Sequence, residues 1–555
     1  MKSFARETAC ALALAVGLWA PAAAGQSPDQ KSVSAHPGER HSVPLPPLSK
    51  GGIPLSLDRA IGLAIANNED LNVSINSAEA FRYQILQNKG IFDPLLQAAL
   101  SRSHAEQPAS SALIGAAVRT ANVTDFSASV QQLLPSGGVV SLGLVGENLR
   151  TNSTFQTTNP SKTASGTFSF TQPLLRNLGY DTTTWLIRIS RNTSDSSYQD
   201  LIRAVQSTVS SVEQSYWDLV YALQNLEVKK ESLRIAQDLN RITRIKIDVG
   251  SLAPIDITQT EVGIATAEQD IITAEGLIGD AQDRLKRLLN FERTQWSTPI
   301  VPTDQVRGET VQVKVDESLT AAITRRPDVV KQAYVVDSDR IRYEYWKSQT
   351  LPQLNFVGSY GTAGLAGTFF APDPTDPTGR RLIVVDQTGF GDAYSDVLHA
   401  RNKSWSLGLN FSYPLFNRAA RGARGFSRYA LEADRSLLTT TQQNVVVEVR
   451  AAARAIDTAA RQIVAAQKGR ELAERNLDAE KKKFDNGMST TFQVNQVQRD
   501  LSVARTTELQ ALAGYRKALA LYHLAVADNL EWKGIRVEGL PNSTPPPVPQ
   551  PTGVR

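Results

Sequence analysis

The side chains that most often do chemistry are thinly spread in this sequence. Its five histidines, His36, His41, His104, His399 and His523, are scattered, and no two share the spacing of a metal site. Cys10 is the single cysteine, so neither a disulfide nor a thiolate metal centre can form beyond it. Gly-x-x-x-x-Gly-Lys-Ser/Thr, Gly-x-Ser-x-Gly and His-Glu-x-x-His are all missing. The run Asp373-Pro-Thr-Asp376-Pro-Thr-Gly379 imitates a calcium loop but lacks the alternate oxygen ligands and the closing Glu, and reads as a solvated loop. Carboxylates within the long helical stretches are mostly interleaved with Lys and Arg, as on a solvated or tunnel-lining face. These patterns predict no enzyme, no cofactor and no metal.

The chain has 555 residues, 41% hydrophobic and 21% charged, which is too apolar for a disordered chain. A net charge of +4 lacks the basic excess of a nucleic-acid binder. Lys2 and Arg6, the apolar run Ala9–Ala20 and Ala22-Ala23-Ala24 read as a bacterial export signal over residues 1–24. Cys10 lies near the start of that run rather than at its end, so a lipoprotein signal is not indicated. Further on, no apolar run of ~18 residues offers a membrane-spanning helix. If the chain crosses a membrane, it must do so with a closed β-barrel.

An internal repeat organises the remainder. Residues 57–101 align without gaps on 315–359, with Asp58/Asp316, Ala64/Ala322, Arg82/Arg340, Pro94/Pro352 and Leu96/Leu354 among the identities. Phe170-Thr-Gln-Pro173-Leu174 then matches Phe411-Ser-Tyr-Pro414-Leu415, and Lys246-Ile-Asp248-Val-Gly250 matches Lys483-Phe-Asp485-Asn-Gly487. Three blocks in the same order mark a tandem duplication.

Each half opens with a short and a longer helix, Leu57–Asn67 with Asp70–Lys89 and Val315–Arg325 with Asp328–Ser348. Pro94 and Pro352 end those patterns. Alternating segments follow at Leu95–Ser103, Thr167–Gln172, Gln353–Tyr360 and Ser404–Tyr413, apolar on one face and small or polar on the other. Phe126–Leu134 and Val139–Leu149 alternate equally well around Pro135-Ser-Gly137-Gly138 and predict a further hairpin. The stretch Gly361–Lys403 reads as a polar loop. Very long helices are predicted over Trp185–Ile247 and Arg421–Phe484, each roughly 95 Å at ~1.5 Å per residue. Turns at Gly250 and Gly487 reverse them into Ile255–Leu289 and Phe492–Ala527. There Ile257, Ile264, Ile271, Ile278 and Leu285 recur every seventh residue, with Ala267, Ala274 and Ala281 between them. In the second return helix, Glu508 breaks the corresponding series.

This combination resembles the TolC-like outer-membrane efflux family. The carrying residues are Leu57 to Asn68 and their copy around Asp316 to Arg326, the pairs Pro173-Leu174 and Pro414-Leu415, and the tip from Asp248 to Ile257. The resemblance spans about residues 53–540. It implies an α+β protomer of tandem repeats, residues 55–291 and 315–527, assembled as a homotrimer. Four strands per chain would form a shared barrel in outer-membrane lipid, and long helices a shared periplasmic tunnel. Segments 292–314 and 528–540 would belt the tunnel, and 25–54 and 541–555 would be flexible tails.

The resemblance further implies an exit duct for tripartite efflux or type I secretion, docked to a periplasmic adaptor and an inner-membrane transporter of RND, ABC or MFS type. Its docking tips would lie at Asp248, Gly250, Asp256, Asp485 and Gly487, and its strand–helix junctions at Pro94, Pro173, Pro352 and Pro414. Where relatives narrow the tunnel mouth with aspartates, this chain carries Gln493 and Gln496. Asp256 reads equally as a carboxylate favoured by a helix N-terminus. The alternative is a periplasmic coiled-coil adaptor or scaffold without a barrel. It explains neither the strands nor the repeat.

Overall fold

The computed structural model describes residues 32–33, 52–108, 115–154, 156–305, 313–376, 381–537 and 546–547. The expected signal, residues 1–24, lies outside them. Two short parallel pairings tie the chain ends into the fold. Strand β1 (Ser32–Val33) pairs with β11 (Arg536–Val537), and β2 (Ile53–Leu55) with β7 (Ile300–Pro302). Ile53 and Leu55 are buried, so the end of the N-terminal run is structured where a flexible tail was expected.

Helices α1 (Leu57–Asn67) and α2 (Glu69–Lys89) follow, split by Asn68, whose side chain accepts from Leu71 N and caps the second. Four antiparallel strands come next: β3 (Leu95–Pro108), β4 (Val118–Leu133), β5 (Val139–Thr151) and β6 (Thr158–Pro173). The first long hairpin is α3 (Trp185–Asp248) with α4 (Asp256–Leu288). The second half repeats the order with α5 (Val315–Arg325), α6 (Pro327–Gln349), β8 (Gln353–Pro372), β9 (Leu382–Gln387), α7 (Phe390–Leu398), β10 (Asn402–Ser412), α8 (Arg418–Asp485) and α9 (Thr491–Val526). At 64 and 68 residues, α3 and α8 are each roughly 100 Å long.

One sheet runs β10-β8-β6-β5-β4-β3, with β9 paired to the outer end of β8. Six strands thus lie side by side where the resemblance implies four, and the added pair is the β4–β5 hairpin. Register-paired residues share a face. Leu96, Val130, Leu142, Phe168, Tyr360 and Trp405 form one unbroken apolar row across all six strands. Leu407, Leu409 and Phe411 extend that face, and all three are exposed. The reverse face carries Ser141 bonded to Ser169 at 2.6 Å, Ser359 to Ser406 at 2.8 Å and Ser101 to Asp125 at 3.1 Å. One face suits lipid and the other water.

The Gly361–Lys403 loop expectation is corrected. That stretch holds the outer half of β8, all of β9 and helix α7. The helix seats on the apolar face over small residues, burying Ala164 and Ala366 beneath Ala393 and Val397. A Cβ at Gly146 would come within 2.5 Å of Tyr394 Oη, and one at Gly364 within 2.0 Å of the Ala393 carbonyl. Only residues without a side chain permit that approach.

In α4, Ala267, Ala274 and Ala281 are buried, while Ile257, Ile264, Ile271 and Ile278 stay half-buried. The small residues seat the return helix within the protomer, Ile278 packs on the protomer's own core, and Ile257, Ile264 and Ile271 remain available to another helix. Glu508 meets Arg470 at 2.5 Å, beside the Arg470–Glu474–Arg505 chain. An ion pair therefore replaces an apolar layer there.

Candidate functional site: helical tips and membrane junctions

The two hairpin tips close by the same backbone device. Gly250 has φ +78° and Gly487 φ +74°. Gly250 N donates to Ile247 O and Ser251 N to Lys246 O, both at 2.8 Å. At the other tip Gly487 N donates to Phe484 O at 3.1 Å and Met488 N to Lys483 O at 2.8 Å. This is the Schellman closure, in which a left-handed residue satisfies the last helical carbonyls. Asp248 and Asp485 are the last helical residues and are exposed. A carboxylate there opposes the negative helix end, so helix stability does not account for it. Asp256 opens α4, at the end where the dipole favours it.

The tips are joined by a residue that spacing did not single out. Lys246 Nζ donates to Phe484 O at 2.6 Å and lies 4.2 Å from the Phe484 ring centroid. Phe484, Leu239 and Val494 are buried together, and Asn495 donates to Gln259 O at 3.0 Å. Both hairpins therefore form one packed end. Lys246 could be found only through its place in the repeat, because its partner is a carbonyl far along the chain.

Gln493 is exposed on the first turn of α9, which Thr490 caps. Gln496 Nε2 donates to Asp500 at 3.0 Å, and Arg499 donates to Gln496 Oε1 at 2.7 Å. The carboxylate at this level is Asp500, linked to Arg499 through the Gln496 amide, and spacing singled out neither.

At the membrane end the four prolines sit where helix gives way to strand. Pro94 and Pro352 directly precede β3 and β8, Pro173 closes β6, and Pro414 follows β10. Leu174 N donates to Leu354 O at 2.7 Å and Arg176 Nε to Gln349 Oε1 at 2.7 Å, which locks the two halves together. Trp185 stacks on Tyr345 at 4.2 Å. The Pro135–Gly138 turn sits on the same rim: Gly179 N donates to Ser136 O at 3.0 Å, and Gln132 reaches Phe92 O at 3.3 Å. Midway along α3, Tyr216 donates to Asp304 at 2.6 Å, and Asp304 accepts from Leu57 N at 2.7 Å. Burial and the neighbouring carboxylate push the Tyr216 phenol up, so it stays a donor. No group of His, Cys, Asp and Glu suited to a metal occurs among the described residues, and none of their helices could cross a membrane.

A sheet with one lipid-compatible face, set on helices of roughly 100 Å, is a specific architecture. Residues 134–290 and 319–525 match the family described as outer membrane efflux protein. The chain belongs to that family. Among curated proteins it is similar to toxin and drug export protein A of Aggregatibacter actinomycetemcomitans, 23% identical over 167 residues. That match takes in 30% of this chain and 36% of the relative, so it spans about a third of the relative's length. Among solved structures, a membrane protein from Pseudomonas aeruginosa superposes with a TM-score of 0.60 at 17% identity, over 85% of this chain and 93% of that one. The Campylobacter jejuni CmeC outer membrane channel superposes with 0.58 at 16% identity, over 95% and 99%. This outer membrane efflux protein thus has a channel fold, with its sheet in the outer membrane and its helices extending into the periplasm. The barrel-free scaffold reading is set aside by the six-strand sheet.

Proposed function

We propose that three copies of this chain close one outer-membrane barrel and one periplasmic tunnel. The trimer is the exit duct of a tripartite efflux or type I secretion assembly. Residues 1–24 direct export and are removed. The tips at Asp248, Gly250, Asp256, Asp485 and Gly487 dock a periplasmic adaptor, which serves an inner-membrane transporter of RND, ABC or MFS type. Gln493 and Gln496 lie toward the tunnel mouth, where this chain substitutes amides for an anionic ring. The duct performs no reaction of its own.

One observation carries this reading. The sheet ends in β3 and β10, two edges that find no partner among the described residues. An edge unpaired in lipid costs several kcal/mol per group, so another chain must supply the pairing. β3 leaves the helical end and β10 returns to it, so β10 of one copy can pair antiparallel with β3 of the next. Native mass spectrometry of the full chain in detergent should give three times its mass. A deletion strain should lose export and regain it on complementation. A monomer, or export unaffected by deletion, would overturn the proposal.

A further inference from the structure

Outward of its apolar rows, the lipid-facing side of the sheet changes character within one step. The row Leu100, Phe126, Gly146 and Ala164 is followed by Arg102, Thr124, Asn148 and Lys162. The next row is His104, Asn122 and Arg150. All seven of these side chains can donate a hydrogen bond, and Arg102, Arg150 and Lys162 carry fixed positive charge. None of those three forms an ion pair among the described residues. Lys162 Nζ lies 5.7 Å from the Phe390 ring centroid, which holds the ammonium on the outer side beside α7. The carboxylates on this side are engaged or set apart. His104 contacts Glu106 at 3.2 Å, Asp396 pairs with Arg401 at 3.0 Å, and Asp392 caps α7 through Gly389 N at 2.8 Å.

Charge is sorted across the sheet at this level. Asp125 and Glu147 are register partners on the water-facing side, so two carboxylates face the lumen while the cations face out. A charged side chain at mid-bilayer costs a few kcal/mol and much less near the interface. These rows therefore lie at headgroup depth, directly above the chain-facing Leu100 and Phe126. Arg102 and Lys162 share a row three strand spacings apart, roughly 14 Å.

We infer that this patch docks the phosphorylated sugar headgroups of outer-leaflet glycolipid. Arg102, Arg150 and Lys162 take phosphate oxygens, where the arginine fork binds two at once. Thr124, Asn148 and the Asn122 amide meet neighbouring hydroxyls, while His104, held by Asn122 at 2.9 Å and Glu106 at 3.2 Å, orients the Asn122 side chain. The acyl chains run down over the apolar rows. Helix α7 walls the patch on the β6 side. The inference rests on the outer-membrane barrel reading but not on the tunnel's partners.

The test uses the full chain in phosphatidylcholine nanodiscs doped with bis-phosphorylated lipid A or with its dephosphorylated form. Glycolipid retained after detergent extraction is counted by native mass spectrometry. The wild type should retain the phosphorylated form about fivefold better, as charge-assisted contacts require. Combined Arg102→Gln, Arg150→Gln and Lys162→Gln should abolish the preference. Arg102→Lys with Arg150→Lys should keep a part of it, since the charge survives and the two-pronged fork does not, and Arg119→Gln on the reverse face should leave it intact. Equal retention of both lipids by the wild type overturns the inference without any variant. Displacement by millimolar inorganic phosphate also overturns it, as a free-anion site. Selective retention by a protein that fails the export assay would sink the duct reading and leave this one standing.

Discussion

The two halves of the chain keep one helical frame and differ at the membrane. Each supplies a short helix, a longer helix and a hairpin of long helices, closed by the same turn at Gly250 or Gly487. The first half gives the sheet four strands, β3 to β6. The second gives two long ones, with β9 and α7 between them. The contrast follows from how each layer closes. A hairpin inserted into a sheet brings its own hydrogen-bond partners, here taking up β3 on one side and β6 on the other, so no backbone group is left unpaired. Added length in the helices would shift every seventh-residue layer against its neighbour. Variation is therefore tolerated in the barrel and resisted in the tunnel.

The largest effect expected from this contrast is a switch in labelling. With Cys10 the chain's single cysteine, Ser136→Cys and Thr154→Cys report opposite ends of the added hairpin. The Ser136 turn packs against Gly179 at the helical end, and Thr154 lies at the other end of β5. An impermeant thiol reagent should label Thr154→Cys in intact cells and Ser136→Cys only after permeabilisation. Labelling of Ser136→Cys in intact cells would remove the hairpin from the barrel wall.

A second prediction asks whether the shared tip turn matters equally in both halves. A Cβ at Gly250 or Gly487 meets no atom within 4 Å, so the penalty for Val is chiefly conformational. A β-branched residue held at positive φ costs about 1–2 kcal/mol. The double Val variant should reach the membrane as a trimer at normal levels and lose most export. Asn at both positions, which tolerates this backbone, should restore it. Normal export by the double Val variant would show that the tips are not the docking surface.

The lysines beside the tips should behave unequally. Lys246 bridges to Phe484 O, whereas Lys483, its repeat counterpart, turns back to Glu480 at 3.1 Å. Lys246→Met should speed amide exchange in the second tip severalfold, as loss of a charge-assisted bond predicts. Lys483→Met should change it less, because its lysine is exposed and Glu480 keeps the hydrogen bond from Ser489. Equal effects would mean that the hairpins do not lean on one another through Lys246.

Much of this frame was legible because it is local. Helix ends predicted from caps and prolines fall within about three residues of those observed for α1 to α6, α8 and α9. The strand starts at Leu95, Val139 and Gln353 coincide with those expected. Helix α7 was hidden because nine residues are too few to show a helical period amid turn residues. Its apolar side, moreover, has meaning only against Gly146, Ala164 and Gly364 on distant strands. The six-strand count was visible in the Phe126–Leu149 alternation but opposed by the family resemblance. The tip glycines could be read from the repeat. The Lys246 bridge and the Arg499–Gln496–Asp500 chain depend on tertiary contact, which no spacing rule supplies.

The smallest expected effect lies where the shorter helices meet the long ones. In the first half Tyr198 reaches Glu79 at 3.5 Å. In the second, Asp339 of α6 faces Asp434 of α8, to which Gln332 donates at 3.1 Å. Burial raises the Asp339 carboxyl to about 6, and its hydrogen bond to Asp434 supports the rise while Arg342 opposes it. The protonated Asp339 carboxyl is what allows a hydrogen bond to a neighbouring carboxylate. Because the folded value exceeds the unfolded one, the native state binds more protons through this range. Its contribution is complete below about pH 4 and is lost as pH climbs through about 6. Asp339→Asn keeps the hydrogen bond without the charge. The variant should therefore gain on the wild type by on the order of 1 kcal/mol between pH 5 and 7.5, because the raised value already contains the attraction of Arg342 for the ionised carboxylate. Thermal unfolding of the full chain in detergent at the two pH values measures the gap. A gap that does not widen with pH would mean that Asp339 is ionised throughout, and that the two halves meet the long helices in electrostatically equivalent ways.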